Sequence, residues 1–511
     1  MIVRMTQVGE NLVNRYDVDV LVVGGGMAGV MAAVASARNG VNTMLVESQG
    51  SLGGLFTSGF NSFFVGEVEG LAKEFIDRMG SRPEIPSFAL LPQHRFDPEK
   101  AKFVLEQMVL ESGAKLLYFT RAIDAVVENN CIREVIVHNQ CGKMSIAAKI
   151  FVDATGDVSV AAMAGAPCES GGREFCGLNM SSTLMFRLSH VNLRKYREAQ
   201  EAWRSKYKEE MPKAGFVAEL QEEAIQKGDL PYYIFPGPLI NPIPGFPEED
   251  CDVTIDMAHS YYCRYLDAED LTRQLVEQRQ QIIYLEKFFQ KYVPGFENCR
   301  ISGIASYPKL RETRRIIGEY ILTGEDVVLA RKFEDGIARV PAIIDIHHPT
   351  NPRVGFIRHI HLNEPKEPAV CRPAQCTADI HRICKPGGYE AWPKPGTYYE
   401  VPYRCLIPLK IDNLLVAGKG ISTDFSTSCM GYPPHGIGQA AGTAAALCIK
   451  NGATPRKLDG KLVRKTLIEQ GVPLDKEPTY LSQIKEKLTG NYIIVGDSVL
   501  IIAPKGSIIP V

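Results

Sequence analysis

Asp345 and His347 stand two residues apart in "PAIIDIHHPTNP". On an extended segment, residues i and i+2 face the same side. The carboxylate can then orient the imidazole while the imidazole takes a proton from a substrate hydroxyl. His348 points the other way in that arrangement. The alternative is a histidine hydrogen-bonded inside a loop. Arg311, Arg314 and Arg315 cluster in "PKLRETRRIIGEY". Their spacing predicts a helix start with Arg311 and Arg315 on one face. A guanidinium there can clamp a substrate carboxylate or stabilise negative charge on a reduced cofactor. The alternative is a salt-bridged structural helix made by Arg311, Glu312 and Arg315. Tyr398, Tyr399, Tyr403 and Arg404 in "YYEVPYRC" either border the same pocket or pack a domain joint.

Cys371, Cys376, His381 and Cys384 form a second polar cluster. Three thiols and an imidazole suit zinc, but the C-x-x-C pair of a structural site is missing. Free thiols are the simpler reading, and no metal is expected. His359 and His361 are discounted in the same way. The glycine loop "SLGGLFTSGFNSF" holds no cysteine, which argues against a redox disulfide. Cys176, near a lobe joint, is either a reactive thiol or a buried bystander.

"VLVVGGGMAG" places Gly24, Gly26 and Gly29 between an apolar strand and a helix. The first glycine permits the tight turn and the second lets the backbone approach a pyrophosphate. The third allows close helix–strand packing. The helix N-terminus offers free N–H groups to phosphate. Glu47, closing the next strand, is placed to accept hydrogen bonds from a ribose diol. Gly50, Gly53 and Gly54 form a second glycine loop directly after it. Gly436, Gly438 and Gly442 in "PPHGIGQAAGTAAALC" mimic the fingerprint but follow no strand. That stretch reads as a helix starting at the prolines, with small residues for close packing and its dipole aimed at the cofactor.

The stretches "DVLVVGGGMAGVMAAVASARNGVNTMLVESQGSLGG", "KIFVDATGDVSVAAMAGAP", "LRETRRIIGEYILTGEDV" and "VPYRCLIPLKIDNLLVAGKGIS" resemble the FAD-dependent oxidoreductase family, allied to the glutathione reductase and fumarate reductase flavoproteins. The resemblance implies FAD as cofactor. It implies cofactor contacts from Gly24, Gly26, Met27, Ala28, Gly29, Glu47, Ser48, Gly53, Gly54 and Leu55. It extends them to Ala122, Ala154, Thr155, Gly156, Asp157, Gly418 and Lys419. The closing helix adds His435, Gly438, Gln439 and Ala440. The family usually carries arginine where this chain has Lys419, so a compact ammonium replaces a planar fork there. No motif compels a covalent flavin link. The reaction expected is oxidation of a small polar organic substrate by hydride transfer to flavin. The alternatives are reduction of an activated C=C bond, as in fumarate reductase, or an electron-transfer subunit without an organic substrate.

The elements needed to hold these residues are an α/β, Rossmann-like FAD-binding domain in discontinuous segments, 17–180 and 404–450. An α+β substrate lobe, 181–403, is inserted between them, with long charged helices over 191–228 and 267–291. A tail follows at 451–511. The 511 residues are 45% hydrophobic and carry a net charge of −2, which suits a globular enzyme and gives no sign of a nucleic-acid or membrane partner. Thirteen scattered cysteines and an N-terminus without an apolar core suggest reduced thiols in the cytoplasm. A small-molecule substrate is the expected partner; the sequence names neither the electron acceptor nor the oligomeric state.

Overall fold

The computed structural model describes residues 12–81, 83–84, 93–206, 215–235, 237–340, 344–353, 356–357, 359–361, 369–370, 388–390, 397–429, 434–478, 492–495, 498–502 and 508–510. Leu12–Val23 and Gly142–Asp153 run parallel at the centre of the first sheet. Thr43–Val46 and then Lys115–Leu117 lie parallel on one side. Leu414–Val416 lies parallel to the last residues of Gly142–Asp153. The earlier part of that strand pairs antiparallel with Cys131–Asn139, which pairs with Arg121–Glu128. The result is a Rossmann-like α/β fold whose mixed sheet draws strands from distant parts of the chain. Thr43–Val46 and Leu414–Val416 are buried throughout, as expected of parallel strands covered on both faces.

Register positions the site. Val23 pairs with Val46 and with Asp153, and Asp153 pairs with Val416. Gly24, Glu47, Ala154 and Ala417 therefore leave the sheet side by side at its carboxyl end, where ligands of parallel sheets bind.

Helix Met27–Arg38 is buried from Met27 through Ser36. It stops as its small, apolar sequence suggests, at Asn39 and then Gly40 with φ +84°. It packs against the closing helix Pro434–Asn451. A Cβ added at Gly438 would lie 2.1 Å from the Ala28 carbonyl oxygen, and one at Gly442 2.1 Å from that of Ala32. Only glycine allows this backbone contact.

The second sheet is antiparallel, in the order Leu239–Pro242, Cys251–Ser260, Ser182–Val191, Arg300–Ile304. Helix Ala268–Tyr292 covers it, capped by Asp267. Three buried glutamines tie helix to sheet. Gln274 accepts from the Ser182 hydroxyl, Gln278 donates to it, and Gln281 donates to the His259 carbonyl. The long charged helix expected over 191–228 is instead two helices, Leu193–Arg204 and Phe216–Gln226. Gly215 is extended at the start of the second, and Pro212 lies between them.

The helix expected at Arg311–Arg315 is also corrected. Arg314–Ile316 is a strand, paired antiparallel with Cys168–Ser170. Local spacing is a weak guide when a neighbouring strand supplies the backbone partners. Arg311 and Arg315 consequently do not share a helix face.

Candidate active site

Gly24 adopts φ +99°, and a Cβ there would meet the Ala154 carbonyl oxygen at 2.6 Å. A Cβ at Gly29 would fall 1.8 Å from the Gly24 carbonyl oxygen. These two glycines serve the turn and its packing. Gly26 differs, because a Cβ there would meet no atom of the chain within 4 Å. It precedes Met27 as N-cap, and no side chain caps the helix. The second glycine loop lies against the first, with Gly53 N donating to the Gly25 carbonyl at 2.8 Å.

Glu47 is held by three donors. Its Oε2 accepts from Gly25 N at 2.5 Å, and its Oε1 from Gln49 N at 2.7 Å and the Ser48 hydroxyl at 3.0 Å. A carboxylate offers about four acceptor positions, so capacity remains for a diol. Glu47→Gln is expected to weaken FAD binding by about 10- to 100-fold, the worth of hydrogen bonds to a charged group. The flavin-to-protein ratio after dilution and gel filtration measures it.

These groups line a cavity of about 620 Å³. Gly24, Gly26, Met27, Ala28, Glu47, Ser48, Gly53, Gly54 and Leu55 lie on its wall, as do Ala122, Ala154, Thr155, Gly156, Asp157, Gly418, Lys419 and His435. Open backbone at Gly26, an uncapped helix start and a carboxylate with spare acceptors fit the pyrophosphate and ribose of a dinucleotide. Lys419 Nζ sits 3.5 Å from Asp157 Oδ1 and donates to the Leu310 carbonyl at 3.0 Å. His435 packs against Phe64, the rings tilted by 35° with centroids 4.6 Å apart. Burial holds His435 neutral, its pKa lowered to about 3.

Gly29, Gly438, Gln439 and Ala440 do not appear on this wall. Gly438 packs on Ala28, Gln439 accepts from Leu71 N at 2.9 Å, and Ala440 is fully buried in the helix core. They hold the wall from behind.

The same cavity reaches Asp345, His347 and Arg311. His347 Nε2 and Asp345 Oδ2 are 3.2 Å apart, and both residues are buried. Burial, and then the nearby Arg311 charge, lowers the His347 pKa to about 4. His348 turns away, its Nδ1 accepting from Thr350 N and Asn351 N. Arg315 lies off the cavity wall. It bonds to Glu312 and to the Thr423 and Gly171 carbonyls, so it serves the joint between strands. Tyr399 and Tyr403 are core residues and Arg404 pairs with Asp335; neither they nor Tyr398 line the cavity. The Cys371, Cys376, His381 and Cys384 cluster lies outside the described residues. Cys176 is exposed.

The second sheet adds residues that motif reading missed. Asp256 and His259 project from Cys251–Ser260, and Lys309 joins them. Lys309 Nζ donates to Asp256 Oδ2 at 2.9 Å. Burial works against the Asp256 carboxylate, but the Lys309 and Arg311 charges outweigh it and keep its pKa far below the ordinary range. The available signal was an Asp and a His inside an apolar strand, "VTIDMAHS", since buried polar residues are the informative exceptions. Cys429 completes the cluster. Its thiol, the Asp345 carboxylate and the His347 ring bring donor atoms within 4.8 Å of one another. These are metal-ligand types, but burial pushes the Cys429 pKa up to about 12. Two neighbouring cations, Arg311 and Lys309, also disfavour a further positive charge.

Residues 19–467, most of the chain, match the FAD dependent oxidoreductase family. The chain belongs to that family. Its cofactor is FAD, and it is an FAD-dependent oxidoreductase. Among curated proteins it is similar to thiamine thiazole synthase from Pyrococcus horikoshii, 25% identical over 154 residues, covering 29% of this chain and 60% of that protein. It is also similar to thiamine thiazole synthase from Sulfolobus acidocaldarius, 30% identical over 171 residues, covering 31% of this chain and 63% of that protein. The chain thus spans less than two thirds of the curated relatives it matches. Among solved structures it is similar to a geranylgeranyl bacteriochlorophyll reductase-like protein from Thermoplasma acidophilum. There the identity is 14% and the TM-score 0.40, covering 92% of this chain and 88% of that one. Among the described residues, no helix is long and apolar enough to cross a membrane.

Proposed function

We propose that this enzyme oxidises a small polar organic molecule, an alcohol, hydroxy acid, sugar derivative or amine, with His347 as the proton acceptor. The observation carrying this reading is a buried Asp345–His347 pair on the wall of the cavity that also holds the cofactor loops. Bound FAD supplies the two-electron acceptor for the hydride released from the substrate carbon. The protein must then handle one proton. Asp345 accepts a hydrogen bond from Nε2 and so fixes the tautomer, leaving Nδ1 as the basic nitrogen. Nδ1 takes the hydroxyl or ammonium proton as the C=O or C=N bond forms. Phe235, Leu239, Leu271 and Leu275 line the second-sheet side and exclude water from the reacting carbon.

Anaerobic titration of the purified holoenzyme with a panel of alcohols, hydroxy acids, sugar derivatives and amines tests the reading. At least one class is expected to bleach the visible flavin band fully, with a two-electron stoichiometry. If NADH bleaches it and no panel compound does, the direction proposed here is wrong.

A further inference from the structure

Arg311 is 4% exposed, yet among the described residues its hydrogen bonds go to uncharged partners. Its Nη2 donates to the Thr183 hydroxyl at 2.9 Å and to His259 Nε2 at 3.0 Å. Its Nε and Nη1 have no hydrogen-bond partner among the described residues. The carboxylate oxygen within ion-pair reach, Asp256 Oδ1, lies at 3.9 Å, beyond hydrogen-bond distance, while Asp256 Oδ2 accepts from Lys309. Three other arginines of the fold do bond to a carboxylate. Arg315 bonds to Glu312, Arg404 to Asp335 and Arg464 to Glu400. Burying a charge without a bonded counter-charge is costly. A guanidinium kept that way on a cavity wall is matched by an anionic ligand.

His259 explains how the charge stays available. Its Nδ1 donates to the Met257 carbonyl at 3.0 Å, so Nε2 presents a lone pair to Arg311. The ring is fully buried and stacks on Phe235 at 3.9 Å and 11°. Burial keeps it neutral, its pKa well below the ordinary value. A neutral acceptor fixes the guanidinium without cancelling it; a carboxylate in the same place would do both.

We propose that Arg311 binds a carboxylate group of the substrate, and that His259 is the positioning residue that holds Arg311 for it. The enzyme's substrates are therefore carboxylic acids carrying an oxidisable hydroxyl or amine. This rests on the reading that the His347 end of the cavity receives the substrate.

Inert acids test it without turnover. Acetate and benzoate are compared with acetamide and benzamide on the holoenzyme, by perturbation of the flavin spectrum and by the thermal midpoint. The acids are expected to bind at least about tenfold more tightly than the amides. Arg311→Met is expected to weaken the acids by about 10- to 100-fold, the range for hydrogen bonds to charged groups, and to leave the amides unchanged. His259→Asp is expected to do the same with Arg311 still present, whereas His259→Gln, which keeps a neutral acceptor, retains acid binding within a few-fold. Should His259→Asp fail to fold, His259→Phe keeps the stack on Phe235 and is expected to weaken the acids alone. Equal binding of acids and amides overturns the proposal, as does unaltered acid binding in Arg311→Met. Unaltered acid binding in His259→Asp or His259→Phe overturns the role of His259. Because the probes do not react, a panel in which nothing bleaches the flavin leaves this test standing.

Discussion

His347→Ala is expected to slow substrate-driven flavin reduction by about 10²- to 10⁴-fold, the usual contribution of a positioned general base, while FAD stays bound. The cofactor contacts that motif and geometry point to lie at the strand ends and glycine loops, not on the segment carrying His347. Anaerobic stopped-flow reduction gives the rate, and the flavin-to-protein ratio gives retention. Undiminished reduction would remove His347 from the chemistry. Asp345→Asn should fall between the two, because it loosens the tautomer without removing the ring. The pH dependence follows from the groups around the imidazole: Asp345, Arg311, Lys309, Cys429 and His259. Burial and Arg311 hold the His347 pKa near 4. The ring is neutral and able to accept a proton above that pH, and protonated and inert below it. The acid limb of kcat/KM, which reports the free enzyme, should therefore fall near pH 4 rather than near 6.5. A carboxylate seated on Arg311 would offset the charge that lowers the pKa. The limb in kcat, which reports the complex, should then lie at higher pH than the limb in kcat/KM.

The parallel strands were legible because each is buried on both faces and so runs apolar until it must turn. "VDVLVV", "KIFVDATG" and "NLLVAG" end on or near the glycines that free the chain from the sheet. Their order in space came only with pairing, since Leu414–Val416 is far in sequence from the strand it joins. The Asp345–His347 pair was legible from its i, i+2 spacing, which an extended backbone converts into contact. Arg311 and Arg315 were legible as candidates but not as a pair. Their separation depends on the strand Arg314–Ile316 finding Cys168–Ser170. Asp256, His259 and Lys309 were not legible. Asp256 and Lys309 line the cavity and His259 stands behind Arg311, and no spacing along the chain encodes that approach. His259 acts through its neutrality, a property that burial gives it.

Two glycine substitutions should separate holding the cofactor from holding the fold. At Gly26 an added methyl meets no atom of the chain within 4 Å, and the backbone there, φ −61° and ψ 175°, suits alanine. Gly26→Ala should keep the thermal midpoint of the flavin-free protein and lose FAD, because the methyl enters the space the pyrophosphate needs. At Gly438 the methyl lies 2.1 Å from the Ala28 carbonyl oxygen, and at Gly442 it lies 2.1 Å from that of Ala32. The neighbours are helix backbone and cannot rotate away, so the two helices must part along their seam. Overpacking of this kind typically costs about 1–3 kcal/mol per site. The double variant Gly438→Ala/Gly442→Ala should lose about 4 kcal/mol, a large share of the 5–15 kcal/mol that stabilises a domain. Its thermal midpoint should drop even without flavin. FAD should be lost as well, since Ala28 sits in the helix turn on the cavity wall and moves with the seam. If the double variant lost FAD with an unchanged midpoint, the closing helix would be a direct cofactor contact at Gly438, as the family resemblance implies. A fall in both assigns it to the packing that holds the first turn in place.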